Sequence, residues 1–165
     1  MHKVIFFDRD GIINKFRTDT PVINDKFDFM DGIKSLFQIS KTLNYLRIVI
    51  TNQPDISRHL ISQKELYRVN YNFLKYIDDI YICPHSDKEN CYCRKPKPGL
   101  LEIAAIKWNI DKDKSYFIGD SWKDIKAGEL FGCKTILLNT DYNRNEETTP
   151  DYNINSLFEM KDIIG

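Results

Sequence analysis

The sequence predicts an α/β protein, a doubly wound parallel sheet carried by one domain spanning residues 1–165. Three observations predict it. Short apolar runs recur along the chain at strand length. Segments with helical apolar spacing separate most of them, and polar, Gly- or Pro-bearing stretches mark the changes between the two. Strands alternating with helices read as βαβ units and hence as a parallel sheet. A length of 165 residues with 42% hydrophobic and 29% charged residues is ordinary for one soluble domain with its own core.

The elements follow in order. Lys3–Phe7 is a short buried strand, followed by a loop that runs to about Asp31 and contains Pro21. From Asp31, Ile33, Leu36, Phe37, Ile39 and Leu43 recur at helical spacing. Leu46–Ile50 is a second strand. Ser62-Gln63-Lys64-Glu65 is a capping box, opening a helix through Leu66, Val69, Tyr71 and Phe73 to an end near Tyr76. Ile80–Ile82 is a third strand. Pro98-Gly99 starts a helix with Leu101, Ala104, Ala105 and Trp108 facing the core. Tyr116–Ile118 is a fourth strand, Trp122–Phe131 a helix, Thr135–Leu138 a fifth strand. The tail holds a polar stretch, Asp141–Pro150, and a short helix around Ser156–Lys161.

Several classes of function are excluded or disfavoured by composition. Lys+Arg and Asp+Glu both number 24, so the formal net charge is zero, which argues against a broad nucleic-acid or anionic-membrane surface. No apolar run approaches bilayer length, and Met1-His2-Lys3 leads straight into apolar residues without signal-peptide architecture. A cytoplasmic protein is expected, a monomer acting on a small phosphorylated metabolite. In a reducing compartment its four cysteines are metal ligands or inert thiols before they are disulfides.

Chemistry-bearing residues fall at the carboxyl ends of the strands, where open parallel sheets place their ligands. Phe6-Phe7-Asp8-Arg9-Asp10-Gly11 sets two carboxylates two residues apart, with Gly11 allowing a tight turn. One carboxylate can attack phosphorus; the other can protonate the leaving oxygen and later activate water. Asp8 and a phosphate repel, so a divalent cation is needed, and Mg²⁺ bridges carboxylate and phosphate oxygens. Asp120, in Ile118-Gly119-Asp120-Ser121, is the natural further ligand, with Asp124 an outer partner. The Thr51 hydroxyl can hold phosphate oxygens, and Lys95 can supply positive charge.

A second constellation is Cys83-Pro84-His85-x5-Cys91-Tyr92-Cys93. Three thiolates and an imidazole form a complete tetrahedral set without a vacant position, the pattern of a structural Zn²⁺. Its alternative is a group of reactive or buried cysteines beside a surface histidine. Cys133 reads as a core thiol, and His2 and His59 receive no metal role.

Taken together, Asp8-x-Asp10-Gly11, Thr51-Asn52, Lys95 and Gly119-Asp120-x-x-x-Asp124 resemble the four ordered motifs of the haloacid dehalogenase (HAD) superfamily, over nearly the whole chain. The resemblance implies a HAD-like, Rossmann-like fold with Asp8 as nucleophile and Asp10 as acid/base. It implies Mg²⁺ on the Asp8 and Asp120 carboxylates and the Asp10 carbonyl. The cysteine loop running into Arg94-Lys95-Pro96-Lys97-Pro98-Gly99, with Asn14 and with Thr51-Asn52-Gln53 and Arg58, is similar to a capless, zinc-bearing subgroup. That subgroup dephosphorylates heptose bisphosphates, for surface polysaccharide, or histidinol phosphate. It implies a substrate-facing set of Thr51, Asn52, Gln53, Arg58, Arg94 and Lys95.

Ile12, Pro54-Asp55 and His59 depart from the subgroup's usual Thr, Ser-Gly and Gly, which bears on substrate fit rather than on chemistry. For the histidinol reading, Asp55 is the candidate carboxylate to meet an amine or imidazole. A polynucleotide 3′-phosphatase is disfavoured by the neutral charge. A zinc-stapled, non-catalytic interaction module would have no need of Asp8, Asp10, Thr51, Lys95 and Asp120 together.

Overall fold

A computed structural model describes residues 1–16 and 27–165, so the segment around Pro21 of the first loop lies outside the described residues. The elements in chain order are β1 (Val4–Phe7), α1 (Ile33–Thr42), β2 (Leu46–Asn52), α2 (Gln63–Tyr71), β3 (Asp79–Cys83), α3 (Gly99–Trp108), β4 (Tyr116–Gly119), α4 (Trp122–Phe131), β5 (Lys134–Leu138), β6 (Tyr152–Ile154) and α5 (Met160–Ile164). The six strands form one sheet in the order β3-β2-β1-β4-β5-β6, and every pairing is parallel.

Each central strand is buried on both faces, so its side chains alternate between two cores. Ile5, Phe7, Val49 and Ile118 point to one side, where Ile33, Leu36 and Phe37 of α1 and Met160 and Ile164 of α5 cover them. Val4, Phe6, Ile48, Ile50 and Phe117 point to the other, against Leu100, Leu101 and Ala104 of α3 and Ala127 and Phe131 of α4. This two-sided burial is why the strands read as unbroken apolar runs. The Phe6 ring meets Phe117 and Phe131 edge-on at centroid distances of 6.2 and 5.6 Å, the arrangement that aromatic quadrupoles prefer.

The structure departs from the sequence reading in a few places. The second strand runs on through Thr51 and Asn52, which pair with Ile82 and Cys83 of β3. The helix opened by the Ser62 capping box ends at Tyr71 rather than near Tyr76; Asn72 folds back, its Nδ2 donating to the Val69 carbonyl at 2.8 Å, and Leu74–Tyr76 form a separate 3-10 turn. Tyr71 is exposed, whereas Leu66, Val69 and Phe73 are buried. The last helix begins later, at Met160, behind a 3-10 turn started by Ser156, whose Oγ accepts from the Phe158 N–H. The strand β6 was not legible at all. Its three residues carry no periodicity, and Asp151 fastens it by accepting from the Thr135 N–H (2.7 Å) and Oγ1 (2.9 Å) of β5.

The strand order reverses between β1 and β4, whose chain connections leave in opposite directions. A crevice opens beyond their carboxyl ends, at the position where such sheets bind ligands.

Candidate active site

The crevice is built first by the turn after β1. Gly11 sits at φ 87°, a left-handed conformation that costs any residue with a Cβ, and its N–H bonds the Asn14 carbonyl at 2.7 Å. Ile13 and Asn14 both donate their N–H groups to the Arg9 carbonyl, and Ile12 and Ile13 are fully buried anchors. A Cβ on Gly11 would fall on the Asp120 carboxylate. The departure at Ile12 is thus a core substitution, away from the cleft. His59, at the other noted departure, has φ 58°, which explains why Gly suits that position.

Asp8 and Asp10 stand in opposite environments. Burial, with the Asp124 and Asp10 charges alongside, pushes Asp8 up to about 7 against the pull of Lys95, whose Nζ donates to Asp8 Oδ1 at 2.7 Å. Burial works against the Asp10 carboxylate too, but the Arg9 guanidinium and two amide donors together outweigh it. Arg9 Nη2 reaches both Asp10 oxygens at 2.9 Å, and Asn14 Nδ2 (2.9 Å) and Gln53 Nε2 (2.8 Å) add donors, holding Asp10 below its ordinary value. Arg9 is itself buried, steadied by Asn70 Oδ1 at 3.3 Å.

Lys95 is the buried cation beside Asp8. Its Nζ lies 2.7 Å from Asp8 and 2.6 Å from Asp124 and donates to the Ile50 carbonyl at 3.0 Å. Burial disfavours its charge, but the two carboxylates overcome that and raise its pKa. Asn52 positions it, with Oδ1 accepting from the Lys95 N–H and Nδ2 donating to the Lys95 carbonyl, both at 3.1 Å. The Thr51 hydroxyl is buried and accepts from Gln53 Nε2 at 2.9 Å. Asn52 and Gln53 therefore act here chiefly on Lys95 and Asp10.

Asp120 follows β4 and is buried. Burial, then repulsion from Asp8 and Asp124, pushes it well above the usual carboxylate range against Tyr142 and Lys95. The Tyr142 hydroxyl donates to Asp120 Oδ2, and Asn143 Nδ2 donates to the Asp120 carbonyl at 2.9 Å and to the Leu138 carbonyl at 2.8 Å. These two residues, like Phe16, Lys123 and Glu146 on the cleft wall, were missed by sequence reading. They belong mostly to the polar stretch after Asp141, which meets Asp120 only through the fold.

Oxygen atoms of Asp8, Asp120 and Asp124 lie within 4.8 Å of one another. Three clustered carboxylates facing one lysine leave an excess of negative charge, and all-oxygen donors suit a hard divalent cation. Asp124 is already engaged, since one oxygen pairs with Lys95 and the other accepts from the Ser121 N–H at 3.2 Å in the capping box of α4. Asp8 and Asp120 remain to hold such an ion.

At the end of β3, Cys83, His85, Cys91 and Cys93 converge. The sulfur atoms stand 3.3–3.5 Å apart, and His85 Nδ1 is 3.6 Å from Cys83 and 3.2 Å from Cys93. A tetrahedron with metal–sulfur bonds of about 2.3 Å has edges of roughly 3.8 Å, close enough that small shifts let the set hold one small ion. Cys133 is elsewhere, buried under α4.

Arg94 and Arg58 lie outside the cleft wall. Arg94 donates Nε to Asp87 at 2.7 Å and Nη1 to the His85 carbonyl at 3.0 Å, and Arg58 stands 3.5 Å from Asp55. The cleft itself has a volume of about 410 Å³, within the range of small-molecule sites.

Comparisons with known proteins agree with this geometry. The family model described as HAD-hydrolase-like matches residues 92–160. The chain belongs to the HAD-like hydrolases and is a phosphatase of that family. It is similar to the D-glycero-beta-D-manno-heptose-1,7-bisphosphate 7-phosphatase of Helicobacter pylori, 39% identical over 149 residues covering 84% of each chain. The corresponding alpha-anomer phosphatase of Campylobacter jejuni is 38% identical over 82% of this chain and 81% of its own. In structure, it superposes with a TM-score of 0.89 on the D,D-heptose 1,7-bisphosphate phosphatase of B. bronchiseptica, solved with magnesium and phosphate, at 22% identity over 98% of this chain and 97% of that one. No helix among the described residues is long and apolar enough to cross a membrane.

Gly11→Ala is expected to lower the free energy of unfolding by about 1–3 kcal/mol, because the left-handed backbone disfavours Ala and its Cβ would displace Asp120. Urea denaturation at neutral pH checks it; an unchanged midpoint contradicts the packing described.

Proposed function

We propose that this phosphatase removes the 7-phosphate of a D-glycero-D-manno-heptose 1,7-bisphosphate through an aspartyl-phosphate intermediate, on the route to nucleotide-activated heptose. The observation that carries the chemistry is the pairing of Asp8, raised and lodged against Lys95, with Asp10, two residues on and held low by Arg9. The substrate reading is supported by relatives that share over a third of their residues with this chain across more than four-fifths of its length.

An Asp8 oxygen attacks phosphorus, and the bond from phosphorus to the sugar oxygen breaks as the phosphoenzyme forms. Asp10 gives its proton to the departing oxygen. Water then attacks the acyl phosphate, Asp10 takes its proton, and phosphate leaves with Asp8 restored. The donors around Asp10 favour its carboxylate, the form needed for the second half. A phosphate dianion alongside favours the protonated form needed for the first. Lys95 and the Thr51 hydroxyl hold the transferring oxygens. Mg²⁺, held by Asp8, Asp120 and the Asp10 carbonyl, would offset the repulsion between phosphate and nucleophile when bound.

Zn²⁺ is the ion we assign to Cys83, His85, Cys91 and Cys93, where a thiolate-rich set fits it. Burial raises Cys83, while hydrogen bonds from Cys93 and Cys83 outweigh burial at Cys91 and lower it to about 7. A bound ion would replace the thiol protons and stiffen the loop that carries Lys95. Arg94 and Arg58 are the arginines the subgroup resemblance turns toward substrate. Arg94 would exchange its exposed Asp87 partner for a phosphate. The histidinol-phosphate reading gains nothing from Asp55, whose neighbour is Arg58.

Three measurements test these assignments. Asp8→Asn should abolish turnover and the capture of beryllium fluoride while leaving the fold intact; near wild-type hydrolysis by this variant would remove Asp8 from the nucleophile's role. In a side-by-side assay, kcat/KM for heptose 1,7-bisphosphate should exceed that for histidinol phosphate at least roughly tenfold, about 1.4 kcal/mol of discrimination, and the reverse ratio overturns the substrate. Elemental analysis of unchelated protein should find about one zinc per chain, with Cys91→Ser losing it and melting at lower temperature. Zinc-free native protein refutes that site.

A further inference from the structure

Of the charged residues lining the cleft, Asp8, Asp10, Asp120, Asp124 and Glu146 are anions, and the cations among the described residues are Lys95 and Lys123. Lys95 is buried and engaged by Asp8 and Asp124. Lys123 is different. Its side chain is about one-third exposed, and its one ion pair among the described residues is with Asp87, at 4.0 Å, the outer limit for such a contact. Its other recorded neighbour is the Trp122 ring, 5.8 Å from Nζ.

Lys123 also stands where the helix does not favour it. It occupies the first turn of α4, two residues after the Ser121 cap, at the positive end of the helix dipole. The dipole disfavours a cation there. Neither the core nor the capping box uses its ammonium, since the cap bonds involve its backbone N–H and the Asp124 carboxylate. The residue therefore contributes a weakly paired positive charge to an otherwise acidic cleft.

A bisphosphorylated sugar brings a second anion into that cleft while its first phosphate sits at Asp8. We infer that Lys123 is the specificity-determining residue that receives this second phosphate, an inference that rests on the heptose bisphosphate reading. Asp87 touches both Lys123 and Arg94, so an anion at Lys123 enters the field of Arg94 as well. The consequence is discrimination between bisphosphorylated and monophosphorylated forms of one sugar, expressed mainly in KM and weakened by salt.

The test compares wild type, Lys123→Ala and Lys123→Arg on heptose 1,7-bisphosphate and on the same heptose carrying only its 7-phosphate. The ratio of the two kcat/KM values should fall about tenfold in Lys123→Ala, chiefly through KM for the bisphosphate, and Lys123→Arg should recover most of it. The melting temperature of Lys123→Ala should hold or rise, because a cation leaves the positive end of α4. Equal losses on both substrates, or no loss on either, overturn the inference. If wild type hydrolyses no heptose bisphosphate, the parent reading has failed separately. The ratio is then taken on fructose 1,6-bisphosphate against fructose 6-phosphate, where the absence of any bisphosphate preference removes Lys123 from this role.

Discussion

One ammonium group organises this molecule's functional end. Asp8, Asp120 and Asp124 are brought together in a buried space, and their mutual repulsion would open it without compensation. Lys95 Nζ lies between Asp8 and Asp124 and also bonds the Ile50 carbonyl, so β1, β2 and the start of α4 meet at one nitrogen. Buried ion pairs add little net stability, because desolvation offsets most of the attraction; removing one partner is what is costly. The value of this pair is placement. It fixes where the Asp8 carboxylate stands and, among the described residues, leaves Asp120 without an ion pair of its own.

The cysteine loop exists in this fold to deliver that nitrogen. Lys95 follows Cys93 by two residues, and Asn52 at the end of β2 clamps its backbone on both sides. A loop of this length, with one 3-10 turn at Asp87–Glu89 as its regular structure, would lose considerable conformational entropy on being held so tightly. A tetrahedral ion across Cys83, His85, Cys91 and Cys93 would tie both ends of it at the edge of the sheet. Loop and cleft would then move as one mechanical unit.

The two carboxylates after β1 show how one short segment supports two chemical roles. Asp8 and Asp10 have the same intrinsic acidity and are two residues apart, yet burial raises the first while hydrogen-bonding neighbours lower the second. Asp10 owes its low value to Arg9, Asn14 and Gln53, three donors from two separate strand ends. Pairs of titratable groups driven apart in this way mark acid/base sites, and this separation favours an enzyme over a binding module built on the same scaffold.

The sequence by itself determined the class of the fold, five of the six strands, the grouping of Cys83, His85, Cys91 and Cys93, and the gathering of Asp8, Asp10, Lys95 and Asp120 at one crevice. It could do so because apolar runs and local motifs are encoded by near neighbours, and because open parallel sheets put strand ends at one crevice. Tertiary structure alone decided the rest. It lodged Lys95 between Asp8 and Asp124, turned Asn52 and Gln53 to hold Lys95 and Asp10, and engaged Arg94 with Asp87 outside the cleft wall. It added β6, and it carried Tyr142, Asn143 and Lys123 to the site. Most of these assignments rest on contacts between residues far apart in the chain, such as the 22-residue span from Asp120 to Tyr142. Their energies depend on burial and on the charges that burial brings together, neither of which local spacing expresses.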